Sequence, residues 1–256
     1  MSALHLRHWP GDTSRPALAL HCMMGSASYW GPIAKALDGR VDLRAPDLPS
    51  HGRSPDWPGP DPDYHTFATR AVAALIDRPL DLIGHSFGAT IALRIAVAAP
   101  EAVRSLTLIE PVLFAAAPDN EQEALFARMR ALLAAGDREE AAAAFLTGWG
   151  MPAADPTTIA PSPRQISQLD IVAGTNDALH LDTPRILRPG GLESIDAPVL
   201  FIMGEESPKA VPAIIDALAE RLADVGRASV PGAGHMLPVT HPNEVAGLIA
   251  VNLDRA

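Results

Sequence analysis

A serine on a glycine-flanked turn is the residue in this chain best placed to act as a nucleophile. Ser86 lies in the run GHSFG at residues 84–88, with a glycine two residues before it and another two after it. The apolar run at residues 79–83 predicts a short buried strand, and the apolar pattern after residue 87 predicts a helix. So tight a strand-to-helix turn strains the serine backbone and requires small neighbours. In this context Gly-x-Ser-x-Gly predicts a hydroxyl that is lifted out of the sheet's edge at the N-terminus of a helix and can attack a substrate.

The elements around this turn follow the pattern of an α/β protein. Strands are predicted at residues 4–9, 16–22, 41–45, 79–83, 103–109, 198–203 and 227–230, and helices in most of the intervals, the last at 242–253. The first strand alternates apolar and polar residues, as an edge strand does, whereas the second is a continuous apolar run. Strands and helices that alternate at this pitch predict a mainly parallel sheet with helices on both sides.

The alternation is interrupted between the fifth and sixth predicted strands. Helical patterns there cover residues 122–135, 138–146 and 164–172, with proline-rich loops at Pro152, Pro156, Pro161 and Pro163. Long loops without secondary structure are rare in compact domains. We therefore interpret residues 111–196 as a helical cap or lid, inserted into a core formed by residues 1–110 and 197–256. The alternative is that these residues form an irregular surface loop.

Composition restricts the possible partners and cofactors. The 256 residues, 48% of them hydrophobic, predict one large domain with a sizeable core. A formal net charge of −10 would repel nucleic acid and anionic membranes, so we expect neither as a partner. A single cysteine, Cys22, excludes an internal disulfide and a multi-cysteine metal site. The sequence carries neither a leader-like segment nor an apolar run near the ~18 residues that span a bilayer, so we expect a cytoplasmic protein.

Four motifs give the chain a resemblance to the α/β-hydrolase family over nearly its whole length. They occur in the family's order: HCMMGS at residues 21–26, DLPSHGRS at 47–54, GHSFG at 84–88 and GAGH at 232–235. Each motif is weak alone, but their joint order and spacing are hard to obtain by chance. The resemblance implies the α/β-hydrolase fold and an enzyme that needs no metal or organic cofactor.

The resemblance also implies roles for individual residues. Ser86 would be the nucleophile, and His235 would be the base that takes its proton, because free serine is a poor nucleophile. The backbone amides of Met23 and Phe87 would form the oxyanion hole. A competing base, His241, stands just before the last predicted helix, and we interpret it as a helix-entry residue.

The acid that orients the histidine is not at the position usual in the family. Most members have Gly-x-x-Asp after the sixth strand, but residues 204–207 here read GEES. A neutral serine hydroxyl cannot stabilise an imidazolium as a carboxylate does. Glu110, directly after an apolar strand, would be costly unless paired, and certain haloalkane dehalogenases carry their acid at that strand end. We predict Glu110 as the acid, with Glu206 or Glu205 as alternatives and the absence of any functional acid as a third.

These residues predict a serine hydrolase that cleaves a carboxylic ester, or a related acyl bond, of a small to medium apolar molecule. Further residues are predicted to line its substrate pocket: Met24, His85, Phe114, Trp149 and Met236. One alternative uses the same residues for carbon–carbon bond hydrolysis or a lyase reaction. Another is a non-catalytic ligand-binding protein on the same fold.

Overall fold

Seven strands form one sheet in the part of the chain that the structure, a computed structural model, describes: residues 3–149 and 163–256. The strands are β1 (Leu6–Trp9), β2 (Pro16–Leu20), β3 (Asp42–Pro46), β4 (Leu80–His85), β5 (Val103–Ile109), β6 (Val199–Gly204) and β7 (Val225–Val230). Their order across the sheet is β1-β3-β2-β4-β5-β6-β7. Only β1 is antiparallel to its neighbour, with Leu6 opposite Pro46, whereas the other neighbouring pairs are parallel. The predicted edge strand and the predicted parallel sheet are both confirmed.

Helices cover both faces of this sheet, as the alternating pattern predicts. Those outside the segment between β5 and β6 are α1 (Gly31–Ala36), α2 (Tyr64–Ala73), α3 (Phe87–Ala98), α9 (Ala210–Ala219), α10 (Leu237–Thr240) and α11 (Pro242–Leu253). Ala17 and Ala19 of β2 face the core that α1 and α11 cover, while Leu18 and Leu20 face the core under α2, α3 and α9. Every residue of β2 is buried, as expected for a central strand.

The segment between β5 and β6, here called the helical insertion (described residues 111–149 and 163–196), contains helices and no strand in its described part. Its helices are α4 (Asn120–Ala135), α5 (Arg138–Gly148), α6 (Pro163–Ser167), α7 (Leu169–Gly174) and α8 (Asn176–His180). The single helix predicted over 164–172 is instead two short helices that meet at Gln168, and α8 was not predicted. The predicted loop prolines Pro152, Pro156 and Pro161 lie outside the described residues.

The carboxyl ends of the parallel strands bring the candidate residues to one edge of the sheet. Ser86 follows β4, Glu110 follows β5, the turn at residues 204–207 leaves β6, and the loop that carries His235 leaves β7. Neighbouring parallel strands end side by side, which is why residues far apart in sequence meet there. Among the described residues, no helix combines the length and apolar character needed to cross a bilayer.

Candidate active site

Ser86 occupies a strained turn between β4 and α3. Its φ is 55° and its ψ is −118°, a backbone conformation that residues other than glycine rarely adopt. The Ser86 amide donates a hydrogen bond of 2.8 Å to the Ile109 carbonyl of β5, which ties the turn to the neighbouring strand. The side chain sits at the N-terminus of α3, where amide N–H groups lack helical partners. The turn therefore presents the hydroxyl above the sheet edge, as predicted from the motif.

The two glycines of the motif are required by space rather than by their own torsion angles. A Cβ atom on Gly84 would lie 2.5 Å from the Gly88 carbonyl oxygen, and one on Gly88 would lie 2.4 Å from the Leu20 carbonyl oxygen. Both distances are well inside van der Waals contact with backbone atoms. The strand, the turn and the first turn of α3 can approach this closely only because neither residue has a side chain.

His235 lies between a hydroxyl and a carboxylate. Its Nε2 is 3.0 Å from Ser86 Oγ, and its Nδ1 is 3.0 Å from Glu110 Oε2. All three residues are buried, with exposures of 5% for His235, 7% for Ser86 and 0% for Glu110. His241, the competing candidate, lies instead at the N-cap of α11. The structure thus brings together the nucleophile, base and acid predicted from the sequence.

Glu110 is held from the side opposite His235. Its Oε1 accepts hydrogen bonds from the Gly204 amide at 2.7 Å and from the Ser207 hydroxyl at 2.6 Å. The residue has a positive φ of 50°, so its backbone turns sharply as β5 ends. The alternative acids, Glu205 and Glu206, are exposed, and Glu205 Oε2 instead accepts a hydrogen bond from the Gly232 amide at 3.2 Å.

The loop after β2 is braced by two buried, neutral histidines. His21 Nδ1 donates to the Cys22 carbonyl and its Nε2 accepts from the Leu48 amide, at 2.7 Å and 2.9 Å. His51 Nε2 accepts from the Met24 amide at 3.2 Å. Burial lowers the pKa of His21 to about 4 and that of His51 to about 3, so both rings are neutral acceptors near pH 7.

The two amides predicted for the oxyanion hole, those of Met23 and Phe87, belong to residues that line the pocket at Ser86. Among the loop and turn hydrogen bonds of the described chain, neither amide donates to another backbone carbonyl. Phe87 is the first residue of α3, so its N–H stands outside the helical hydrogen-bond ladder. Both donors are therefore available to an oxygen bound near the serine.

His85 lies outside the pocket that it was predicted to line. Its Nδ1 faces the Tyr29 hydroxyl at 3.1 Å, and its Nε2 donates to the backbone carbonyl of His235 at 2.9 Å. The ring is fully buried, and burial lowers its pKa well below the usual value. His85 therefore supports the loop that carries His235 from behind, because β4 directs this side chain away from the cavity.

The pocket above Ser86 is mostly apolar. It contains about 920 Å³ of space between atoms, part of it continuous with solvent. Four predicted lining residues are found there: Met24, Phe114, Trp149 and Met236. The helical insertion supplies further walls that sequence reasoning missed: Phe126, Phe145, Leu146, Gln165, Val172, Thr175 and Leu179. The apolar positions of α4 and α5 were the available signal for the first three, but the sequence does not reveal which apolar positions face a cavity.

Two lining residues bear directly on the chemistry. The Trp149 ring packs against the His235 imidazole, with centroids 4.4 Å apart. Cys22 also lines the pocket, but burial raises the pKa of its thiol to about 12. The thiol is therefore protonated near neutral pH and is not a competing nucleophile. Within the described ranges, no group of three or more His, Cys, Asp or Glu side chains is arranged to hold a metal ion.

Nucleophilic catalysis is supported by three groups in this arrangement: a serine on a strained turn, a histidine within hydrogen-bond distance of it and a buried carboxylate behind the histidine. The family described as "Alpha/beta hydrolase family" matches residues 17–248, which include all three. The chain belongs to the alpha/beta hydrolase family. It is accordingly an alpha/beta hydrolase enzyme with the fold expected from its sequence motifs.

Relatives within the alpha/beta hydrolase family include proteins named as esterases. A pimeloyl-[acyl-carrier protein] methyl ester esterase of Neisseria meningitidis serogroup A is 30% identical, over 93% of this chain and 76% of that protein. The esterase of the same name from Methylococcus capsulatus is 29% identical over 86% of this chain and 87% of its own length. Lipase LipV of Mycobacterium tuberculosis is 34% identical, but over only 42% of this chain and 41% of the lipase.

Solved structures are similar in fold. The alpha/beta hydrolase MGS-M2, from a Medee basin deep-sea metagenome library, superposes with a TM-score of 0.80 at 14% identity, covering 99% of this chain and 94% of that one. A 2-hydroxy-6-oxo-6-phenylhexa-2,4-dienoate hydrolase from Rhodococcus sp. strain RHA1 has a TM-score of 0.74 at 20% identity, covering 99% of each chain. At these identities the likeness concerns the alpha/beta hydrolase fold alone.

Proposed function

We propose that this protein is a serine hydrolase that cleaves a carboxylic ester, or a related acyl bond, of a small to medium apolar molecule. The observation that carries the proposal is the buried line of contacts from Ser86 Oγ through His235 to Glu110, which opens onto an apolar pocket. The relatives named as esterases and a lipase support ester hydrolysis as the reaction class.

In the first half of the reaction, Ser86 Oγ attacks the acyl carbon while His235 Nε2 takes the hydroxyl proton. The 3.0 Å contact between these atoms is within the reach that proton transfer needs. Glu110 accepts a hydrogen bond from Nδ1, so Nε2 is left free to act as the base. The carboxylate also stabilises the imidazolium that forms. His235 then returns the proton to the departing alkoxide, and an acyl-enzyme ester remains on Ser86.

The negative oxygen of the tetrahedral intermediate would be held by the amides of Met23 and Phe87. These donors are set in place before the reaction. The loop at Met23 is fixed because the amide of the next residue, Met24, donates to His51 Nε2, and Phe87 is fixed as the first residue of α3. Fixed donors of this kind stabilise charge only where it develops, and each is typically worth a factor of ~100–1000 in rate. In the second half of the reaction, His235 takes a proton from a water molecule that attacks the acyl carbon. It then returns that proton to Ser86 Oγ as the bond to the serine breaks and the acid is released.

The helical insertion would act as a cap that selects the substrate. Aromatic and aliphatic side chains of α4, α5, α7 and α8 line the pocket above Ser86, whereas the sheet edge supplies the reacting groups. A pocket of this composition favours burial of an apolar group of the substrate. We infer that residues 111–196 form the cap on a core of residues 1–110 and 197–256.

A fluorophosphonate probe tests the proposal on the intact protein. We expect stoichiometric labelling of Ser86, located by peptide mass spectrometry, and a burst of p-nitrophenol with a p-nitrophenyl ester. Ser86→Ala should abolish both signals, while Ser229→Ala, a change on an exposed residue of β7, should leave both intact. Failure of the folded wild-type protein to react with either probe would favour a non-catalytic binding protein instead.

A further inference from the structure

Ser207 lies against the acid of the site, although the proposed reaction assigns it no role. Its hydroxyl donates a hydrogen bond of 2.6 Å to Glu110 Oε1, the carboxylate oxygen that faces away from His235. The same oxygen accepts from the Gly204 amide at 2.7 Å. Glu110 is fully buried, so these two donors replace the solvent that an exposed carboxylate would have at this oxygen.

The turn that carries Ser207 is itself fixed in place. The Ser207 amide donates to the Gly204 carbonyl at 3.3 Å, and the Glu206 amide donates to the Ala233 carbonyl at 2.8 Å. A Cβ atom on Gly204 would lie 2.2 Å from that same Ala233 oxygen, so the β6 exit and the loop after β7 are in close contact. The hydroxyl is therefore held by a rigid turn adjoining the loop that also supplies His235.

We propose that Ser207 is a positioning residue that fixes the Glu110 carboxylate for its contact with His235, an inference that rests on the proposed function. A carboxylate on a flexible glutamate side chain can rotate about its last torsion angle. Two donors on Oε1 fix that rotation and leave Oε2 directed at His235 Nδ1. The same hydrogen bonds hold the carboxylate in place as the partner of the imidazolium that forms on His235.

This role gives a physical meaning to the departure from Gly-x-x-Asp in the run GEES. The chain has a hydroxyl at the position where most of the family has its acid, and here the hydroxyl supports an acid that comes from β5. A second carboxylate at that position would face Glu110 Oε1 across a hydrogen-bond distance and would repel it.

The experiment compares Ser207→Ala, Ser207→Val and Ser207→Thr in the full-length protein. Threonine and valine have nearly the same shape, so this pair isolates the hydroxyl at the half-buried position. We expect Ser207→Ala and Ser207→Val to lower kcat by about 10-fold or more with KM little changed, the size expected for one charge-assisted hydrogen bond. Ser207→Thr should retain kcat within about 3-fold of the wild type.

A second readout separates positioning from a merely structural role. The second-order rate of Ser86 labelling by a fluorophosphonate should fall with kcat in the alanine and valine variants, while the melting temperature stays near that of the wild type. Equal kcat values for the threonine and valine variants, or a wild-type kcat in Ser207→Ala, would overturn the inference. Activity retained by Ser86→Ala would instead overturn the proposed function, so the two failures are distinguishable.

Discussion

The carboxylate of Glu110 lies 3.0 Å from Nδ1 of His235, although 125 residues separate the two along the chain. The parallel sheet makes this contact possible, because β5 and β7 both end at the edge that carries Ser86. Both side chains are buried, so water screens their interaction only weakly. In the proposed reaction, a charge that develops on His235 would therefore be stabilised by this carboxylate.

Replacement of that carboxylate by an amide gives the first prediction. In Glu110→Gln the side-chain oxygen can still accept from Gly204 and Ser207, which turns the amide nitrogen towards His235 Nδ1. The imidazole is then held in the wrong tautomer and its positive form loses its partner. We expect kcat to fall by roughly 1,000- to 10,000-fold, measured on a p-nitrophenyl ester, with the fold retained by circular dichroism.

Two nearby glutamates provide matched controls for this experiment. Glu205→Gln and Glu206→Gln each remove a carboxylate from the turn that follows β6, close to Ser207, but both side chains are exposed. We expect each variant to keep kcat within about 2-fold, because changes on exposed residues away from a site are usually small. A large loss in Glu206→Gln together with an active Glu110→Gln would transfer the acid role to Glu206.

The residues at the strand ends could be predicted from sequence because each has a local signal. Ser86 has flanking glycines, His235 follows a glycine-rich run, and Glu110 stands directly after an apolar strand, where an unpaired charge would be costly. The strands themselves were predictable because buried strands are continuous apolar runs. For β5, for example, the predicted range of residues 103–109 is the range in the structure, Val103–Ile109.

The remaining features depend on contacts between distant segments, which local patterns do not encode. His85 contacts the backbone of His235, 150 residues away, and this contact decides which way its ring faces. Ser207 meets Glu110 only because β5 and β6 are neighbours in the sheet. The pocket walls of the helical insertion were missed for a related reason: an apolar helix face indicates burial but does not specify the neighbour.

A second prediction concerns the space around the serine turn. Gly88→Ala would place a Cβ atom 2.4 Å from the Leu20 carbonyl, so β2 or α3 must shift. We expect a loss of several kcal/mol in unfolding free energy, as overpacking against backbone produces, or no folded protein at all. Gly247→Ala in α11 is the control, since nothing lies within 4 Å of its Cβ position.

The control variant has its own expected outcome. Alanine is preferred over glycine inside a helix, so Gly247→Ala should match or exceed the wild-type stability by about 0.5–1 kcal/mol. Urea unfolding of the two variants measures the contrast directly. Equal stabilities for Gly88→Ala and Gly247→Ala would contradict the close approach of β2 and α3.

Buried neutral histidines predict a loss of stability at mildly acidic pH. Burial lowers the pKa of His21 to about 4 and those of His51 and His65 to about 3, against an ordinary value of 6.5 for histidine. The unfolded chain therefore binds more protons than the folded one below pH 6.5, and stability falls as the pH falls. The stabilisation is complete above pH 6.5 and is lost progressively towards the folded-state pKa values. At pH 5 each residue contributes a loss of about 2 kcal/mol.

Urea midpoints at pH 7.5 and pH 5 test this expectation. The midpoint should drop markedly at pH 5, because the summed loss is a large part of the stability of an ordinary domain. His65→Gln removes one titrating ring, which contacts Thr90 and Arg94 and packs against Phe87 without lining the pocket itself. This variant should show a smaller difference between the two pH values than the wild type. A midpoint that does not change with pH in the wild type would contradict the buried neutral state of these rings.

The last prediction tests whether the helical insertion sets the substrate size. Leu146 of α5 lines the pocket and is only partly buried, so Leu146→Trp can add volume there without overfilling a closed core. We expect kcat/KM to fall more steeply with acyl-chain length in this variant than in the wild type, while short esters such as p-nitrophenyl acetate are little affected. The neighbouring Thr147→Trp, on an exposed position of the same helix, should keep the wild-type profile. If Leu146→Trp leaves the chain-length profile unchanged, the acyl group is bound elsewhere and α5 does not select it.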